Sequence, residues 1–146
     1  MKSRRTYLVQ TDTTAGFLSQ DLHALNRLKG RDEKQPCLKT TPTCKGLMTI
    51  ARVPKAYRRY VRLAKHTTFQ YPNKEACRLI KMPRHQKFLT AFTWMYSTSA
   101  NATGKRFEYA YAIEKADIIV EDREGFYEAK ASTFIRLGRR RQRKIR

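Results

Sequence analysis

Two hydrophobic periods alternate along this sequence, and the alternation narrows the folds open to it. "TYLVQTD" (6–12) is a β-prone apolar run ending on polar hydroxyls, the pattern of a buried first strand. "TTAGF" (13–17) then predicts a turn around Gly16, and Ser19 is placed to cap a helix with Leu22, Leu25 and Leu28 in one apolar stripe. Gly30 closes that helix, so Lys29 and Arg31 flank its end. "PCLKTT" (36–41) reads as a strand or turn. Pro54 opens a second helix, with Tyr57, Tyr60, Val61 and Ala64 at helical spacing and Arg58, Arg59, Arg62 and Lys65 at the other positions. "TTFQY" (67–71) and "ACRLIKM" (76–82) read as strands. "RHQKFLTAFTW" (84–94) reads as a short helix with Phe88, Leu89 and Phe92 inward. "WMYSTS" (94–99), "ADIIVED" (116–122) and "STFIRL" (132–137) are further strands. Strands interleaved with helices predict an α/β domain, a twisted mixed, open sheet flanked by helices, with no internal repeat.

A chain of 146 residues suits one domain, here 1–146, with 139–146 as a basic C-terminal tail. At 40% hydrophobic residues it is too apolar for a disordered basic chain. Its charge is the anomaly: 32 Lys and Arg face 12 Asp and Glu, a net +20. Such a surface favours polyanions, and it is uneven. Basic residues dominate 45–89, and acids gather in 108–128. Arg58, Arg59 and Arg62, with Arg139, Arg140 and Arg141, are the candidate RNA-binding residues; a solvated helix face and a solvated tail are the plain alternatives.

Cys37, Cys44 and Cys77 form no CxxC pair, and His23, His66 and His85 have no metal-ligand spacing. Reduced thiols in a cytoplasmic protein, with no protein-held metal, are expected. No apolar run suggests a signal peptide or a membrane span. Walker A, GxGxxG and Ser-His-Asp patterns are also missing.

Three polar clusters can carry chemistry: Thr11-Asp12-Thr13-Thr14, Lys29-Gly30-Arg31 and Ser99-Ala100-Asn101. Hydroxyls and an amide at strand ends hold a polar ligand by directed hydrogen bonds, lysine adds a point charge, and arginine adds a fork for carboxylate or phosphate. Each cluster alone also reads as an ordinary turn, helix end or loop. Spacing alone supports an α/β domain that binds an anion.

The order of the clusters resembles the YrdC-like family of threonylcarbamoyl-adenylate synthases. The family pattern T-D-T-V-Y-G-L is "TDTTAGF" here, K-G-R-P-x-x-K-P-L is "LKGRDEKQPCL", and T-S-A-N-x-S-G is "TSANATG". "ADIIVED", "STFIRL", "KMPRH" and "RKIR" resemble later elements, so the likeness spans nearly the whole chain. It implies a YrdC/RibB-like sheet domain with a positively charged concave pocket. It maps catalytic roles to Lys29, Arg31, Ser99 and Asn101. It also maps a substrate and ATP pocket to Thr11, Thr13, Thr98, Ser132 and Thr133 besides those four. The implied reaction joins threonine, bicarbonate and ATP into threonylcarbamoyl-adenylate, releasing pyrophosphate. Mg2+ would travel with the nucleotide. The product would pass to a downstream threonylcarbamoyl-transferase complex that modifies tRNA next to the anticodon. Ala15 stands where the family has an aromatic residue, and Asp32 where it has proline, which places a negative charge near the phosphate site. Gln35 replaces a lysine that Lys34 can stand in for. The alternative is a non-catalytic module of the same fold holding double-stranded RNA or tRNA on its basic face. No membrane partner is expected.

Overall fold

The computed structural model describes residues 3–146. Its strands are β1 (Tyr7–Gln10), β2 (Ala15–Ser19), β3 (Lys39–Thr41), β4 (Thr67–Gln70), β5 (Ala76–Leu79), β6 (Met95–Ser99), β7 (Ile118–Val120), β8 (Thr133–Leu137) and β9 (Gln142–Lys144). Its helices are α1 (Leu22–Leu28), α2 (Cys44–Ile50), α3 (Arg58–Leu63, entered through a 3-10 turn), α4 (Pro83–Thr90) and α5 (Tyr109–Lys115). The strands form one mixed sheet in the order β7-β1-β2-β6-β3-β5-β4-β8-β9. Pairing is parallel for β1–β7, β3–β5 and β4–β8, and antiparallel elsewhere. This is the α/β architecture expected from the alternating periods.

Strand alternation sends successive side chains to opposite faces and separates the core from the site. Cys77, Phe69 and Ile135 are register partners across β5, β4 and β8, and they pack with Leu47 and Val61 of α2 and α3. The intervening residues Arg78, Thr68 and Phe134 are partners too, so they share the other face. That face continues through Thr40 and Met95 to Ser97 and Ser99, which lie opposite Leu18 and Gly16. Part of it is covered by Leu89 of α4 and by Phe92 just beyond that helix, packed with Tyr7, Val9 and Leu18. A third cluster joins Leu8, Ala15 and Phe17 to Leu25 of α1 and Ala112 of α5.

Several local expectations are corrected. The turn expected at Gly16 is the interior of β2, which is buried throughout. A Cβ at Gly16 would stand 2.9 Å from Thr11 Cγ2 and 3.2 Å from the Thr98 carbonyl, so glycine allows close strand approach rather than a reversal. Ser19 ends β2, and Asp21 is the true cap of α1, accepting from Ala24 N at 3.0 Å. Ser19 instead accepts from Asp21 N at 3.0 Å and sets up that cap. Gly30 follows the helix at φ 67°, as expected of a left-handed closing residue. Helices α2 and α5 were not anticipated. The segment 139–146 is no free tail: β9 pairs antiparallel with β8, with Arg136 opposite Arg143.

Candidate functional site

A cavity of about 660 Å³ opens on the sheet face carrying Arg78, Phe134 and Ser99. Its wall combines the turn after β1, the loop after α1, the start of β5, strand β6 and the segment around Ser132. Of the residues expected at a site, Thr11, Thr13, Arg31, Thr98, Ser99 and Ser132 line it together, although they are spread over most of the chain. Lys29, Asn101 and Thr133 do not line it.

The turn after β1 is held by its own hydroxyls. Thr13 N donates to Thr11 Oγ1 at 3.1 Å, and Thr11 Oγ1 donates to the Thr14 carbonyl at 2.6 Å. Local bonding of this kind fixes where the two threonines stand on the cavity wall. Lys29 is 8% exposed, and its Nζ donates to the carbonyls of Ser99, at 3.0 Å, and Asn101. Thr103 Oγ1 answers with a bond to the Lys29 carbonyl at 3.0 Å. Asn101 Nδ2 donates to Ala102 O and Lys105 O at 3.0 and 2.7 Å, closing its own loop. Lys29 and Asn101 thus brace the loop that presents Ser99. Burial first, then the Arg31 charge, lowers the Lys29 pKa to about 8.

Arg31 reaches the cavity through Asn26, a buried residue that sequence reasoning passed over. Asn26 Nδ2 donates to the carbonyls of Glu33 and Gln35, both at 2.9 Å, and Asn26 Oδ1 accepts from Arg31 Nε at 3.0 Å. One amide therefore shapes the whole loop after α1. Lys34 and Pro36 line the cavity. The Asp32 carboxylate turns away to accept Lys34 N at 2.8 Å and does not line the cavity. Ala15 packs in the α1–α5 cluster, and the aromatic rings that do line the cavity belong to Tyr96 and Phe134. Cys37 also lines it; burial raises its thiol pKa, so it is a protonated donor to Ser97 O at 3.1 Å.

On the opposite wall, Ser132 Oγ lies 2.8 Å from Thr68 Oγ1. Arg146 donates to the Ser132 carbonyl at 3.1 Å and to its hydroxyl at 3.3 Å, and its guanidinium stands 5.9 Å from the Phe134 ring centroid. Pairing of β9 with β8 is what brings Arg146 here. Thr133 is in β8, in register with Thr67. Arg78 was also missed. It is 4% exposed, lines the cavity and donates Nε to Asp12 Oδ1 at 3.1 Å. Burial alone would raise the Asp12 carboxyl; the charge and hydrogen bond of Arg78 oppose it, and the pKa is held low. Burial pushes the His85 imidazole down, so it is neutral, and its Nδ1 accepts from Asp12 N at 3.3 Å. A charge inside the apolar run "ACRLI" was the available signal for a buried, paired arginine.

Neither Arg58, Arg59 and Arg62, exposed on α3, nor Arg139, Arg140 and Arg141, exposed in the connection that precedes β9, line the cavity. The cysteines are all unpaired. No described helix is long and apolar enough to cross a membrane.

No protein-family model and no curated protein sequence matches the chain. Solved structures do. P. abyssi Sua5 complexed with L-threonine superposes with a TM-score of 0.82 over 97% of this chain, at 17% identity. E. coli YciO superposes at 0.78 over 98% of it, also at 17% identity. The chain has the fold of Sua5 and YciO. It covers 82% of YciO but only about half the length of the P. abyssi Sua5 structures it matches. Full-length HypF, in its phosphate- and nucleotide-bound form, shares the Sua5-type fold at a TM-score of 0.75 and 14% identity, over 26% of its own length. The fold implied by the YrdC-like motif order is therefore the fold found.

Proposed function

We propose that this chain is a nucleotidyltransferase that makes threonylcarbamoyl-adenylate from threonine, bicarbonate and ATP. The observation that carries the reading is the convergence of Thr11, Thr13, Arg31, Ser99 and Ser132 on one cavity whose other cations are Lys34, Lys74, Arg78 and Arg146. A triphosphate and an amino-acid carboxylate both need such donors. Two fold neighbours agree with it: Sua5 is seen with L-threonine, and HypF with nucleotide and phosphate.

The threonine amine would take up carbon dioxide from bicarbonate to give a carbamate. A carbamate oxygen would then attack the α-phosphorus, and the bond to pyrophosphate would break. Transfer of this kind needs positioning and charge neutralisation more than covalent help from the protein. Arg31 would neutralise phosphate or carboxylate charge, and the Ser99 hydroxyl would orient the transferring group. Lys29 and Asn101 would hold the Ser99 loop in register. Thr11 and Thr13 would bound the substrate side, and Thr98, Ser132 and Thr133 the remaining wall and its support. Mg2+ supplies charge neutralisation on the triphosphate. Among the described residues no group of three His, Cys, Asp or Glu side chains is arranged to hold a metal, which suits an ion carried by the nucleotide. The product would pass to a threonylcarbamoyl-transferase complex acting on tRNA. Mass spectrometry of a reaction with 13C-bicarbonate tests this: labelled threonylcarbamoyl-adenylate is expected, falling at least about a hundredfold in Arg31→Ala. Its absence from the folded parent would refute the reading.

A second reading, contact with double-stranded RNA or tRNA, rests on Arg58, Arg59 and Arg62, which are exposed and take part in no ion pair among the described residues. Arg139, Arg140 and Arg141 would extend it. Affinity should then fall with salt and with loss of these arginines; salt-insensitive binding would contradict it.

A further inference from the structure

Strands β1 and β2 are joined by a four-residue hairpin loop, Thr11–Thr14, closed by the register pair Gln10 and Ala15. Thr11, Thr13 and Thr14 line the cavity. Side chains on a loop meet a ligand at a fixed distance only if the loop is anchored outside itself. The hydroxyl bonds of this loop join Thr11 to Thr13 and Thr14 and reach no other element. Asp12 anchors the middle, through its N–H to His85 Nδ1 and its carboxylate to Arg78. The exit of the loop is held differently. Among the described residues, the one donor to the Thr13 carbonyl is Gln10 Nε2, at 3.3 Å.

Gln10 ends β1, is half-buried and uses both ends of its amide. Nε2 faces the Thr13 carbonyl and, at 3.5 Å, the Thr11 carbonyl. Oε1 accepts from the Tyr127 N–H at 2.9 Å. Two carbonyls on one side and an N–H on the other leave a single orientation for the amide. Tyr127 belongs to the connection between β7 and β8, and its carbonyl accepts from Ala15 N at 3.2 Å. One distant backbone unit therefore braces both residues at the hairpin mouth, and the Gln10 side chain carries that support into the loop. We propose that Gln10 is a positioning residue for the cavity wall: Nε2 holds the Thr13 carbonyl, and so sets where the Thr13 side chain stands, while the Tyr127 backbone fixes the amide. This rests on the proposed function, in which Thr11 and Thr13 bound the side of the cavity that takes threonine.

Calorimetric titration with L-threonine and with ATP, each alone, tests it on the parent and two variants. Gln10→Met keeps the length, carries no charge and loses both bonds. Gln10→Glu keeps the acceptor for Tyr127 and puts an oxygen where the donor to Thr13 stood. In both variants threonine should bind at least about fivefold more weakly, with ATP within about twofold of the parent. A role confined to tying down the β7–β8 connection would be lost in Gln10→Met and kept in Gln10→Glu. Threonine binding weakened less than about fivefold in Gln10→Glu therefore overturns the proposal, as does an equal loss for threonine and ATP. If the parent binds no threonine, the proposed function fails, and hydrogen exchange judges Gln10 separately. The Thr13 amide, which donates to Thr11 Oγ1, should exchange at least about fivefold faster in Gln10→Glu while the Ala15 amide keeps its rate. An unchanged Thr13 rate, or both amides accelerating together, overturns the role. If neither variant folds, the Gln10 side-chain amide of the parent decides: protons that exchange slowly support the bond to Thr13, and exchange as fast as an exposed glutamine's overturns it.

Discussion

Replacing Lys29 with methionine keeps the unbranched stem and removes the donor that ties the Ser99–Asn101 backbone to the end of α1. Two carbonyls then lose a cationic partner, at 3.0 Å for Ser99 and closer for Asn101. A hydrogen bond to a charged group contributes about 1.5–3 kcal/mol. Two effects reduce the sum. Ser99 is exposed and Asn101 half-buried, so water recovers part of the loss. The burial that lowers the Lys29 pKa to about 8 also disfavours the ammonium, and that cost disappears with it. A net loss of about 2 kcal/mol for the loop corresponds to about thirtyfold more frequent opening. The reporter is the Ala100 amide, which donates to Ala15 O at 2.8 Å. Hydrogen exchange at Ala100 should accelerate by that factor, and ATP affinity should weaken with it. Unchanged exchange at Ala100 together with lost ATP affinity would refute the reasoning, because Lys29 would then act on the nucleotide directly.

Other perturbations follow from the same geometry. Gly16→Ala would push a methyl group against Thr11 and the Thr98 carbonyl, costing about 1–3 kcal/mol in urea unfolding and narrowing the cavity wall. Asn26→Leu would leave the Glu33 and Gln35 carbonyls and the Arg31 Nε without their partner. A loss of about 2–4 kcal/mol is expected, with an increase in KM for ATP; an unchanged KM would show that Asn26 does not position Arg31. Lys29 also predicts a pH effect on stability. Its folded pKa of about 8 lies below the ordinary 10.5. Between those values the unfolded chain holds a proton that the folded chain does not, so Lys29 makes stability rise with pH across that window, by at most about 1.4 kcal/mol per pH unit. Denaturant midpoints of parent and Lys29→Met across that range check it, since the variant should lack this increment.

The parts of this fold that could be read in advance are those set by local chemistry. The β1 run, the leucine stripe of α1 and the left-handed Gly30 each follow from a few neighbouring residues. Gly16 misled because glycine serves a turn and a close strand approach equally well; only the 2.9 Å approach of Thr11 distinguishes them. Helix α2 was hidden because Gly46 weakens its propensity, yet a Cβ there would collide with Thr41 Oγ1 at 2.2 Å. At the site, motif order pointed to Thr11, Arg31 and Ser99. It could not show that Lys29 turns to the loop backbone, because that depends on a contact spanning 70 residues. Arg146 was hidden for a similar reason: a basic run reads as a solvated tail until β9 pairs with β8. Arg78 carried a legible signal, a lone charge in an apolar strand, but its partner Asp12 is 66 residues away.

The most direct test of the central claim is pyrophosphate release from ATP by the purified chain, measured with threonine and bicarbonate together and with each omitted in turn. Release that requires both co-substrates is the predicted result. Release indifferent to threonine and bicarbonate, or none from a folded chain that binds ATP, would contradict it.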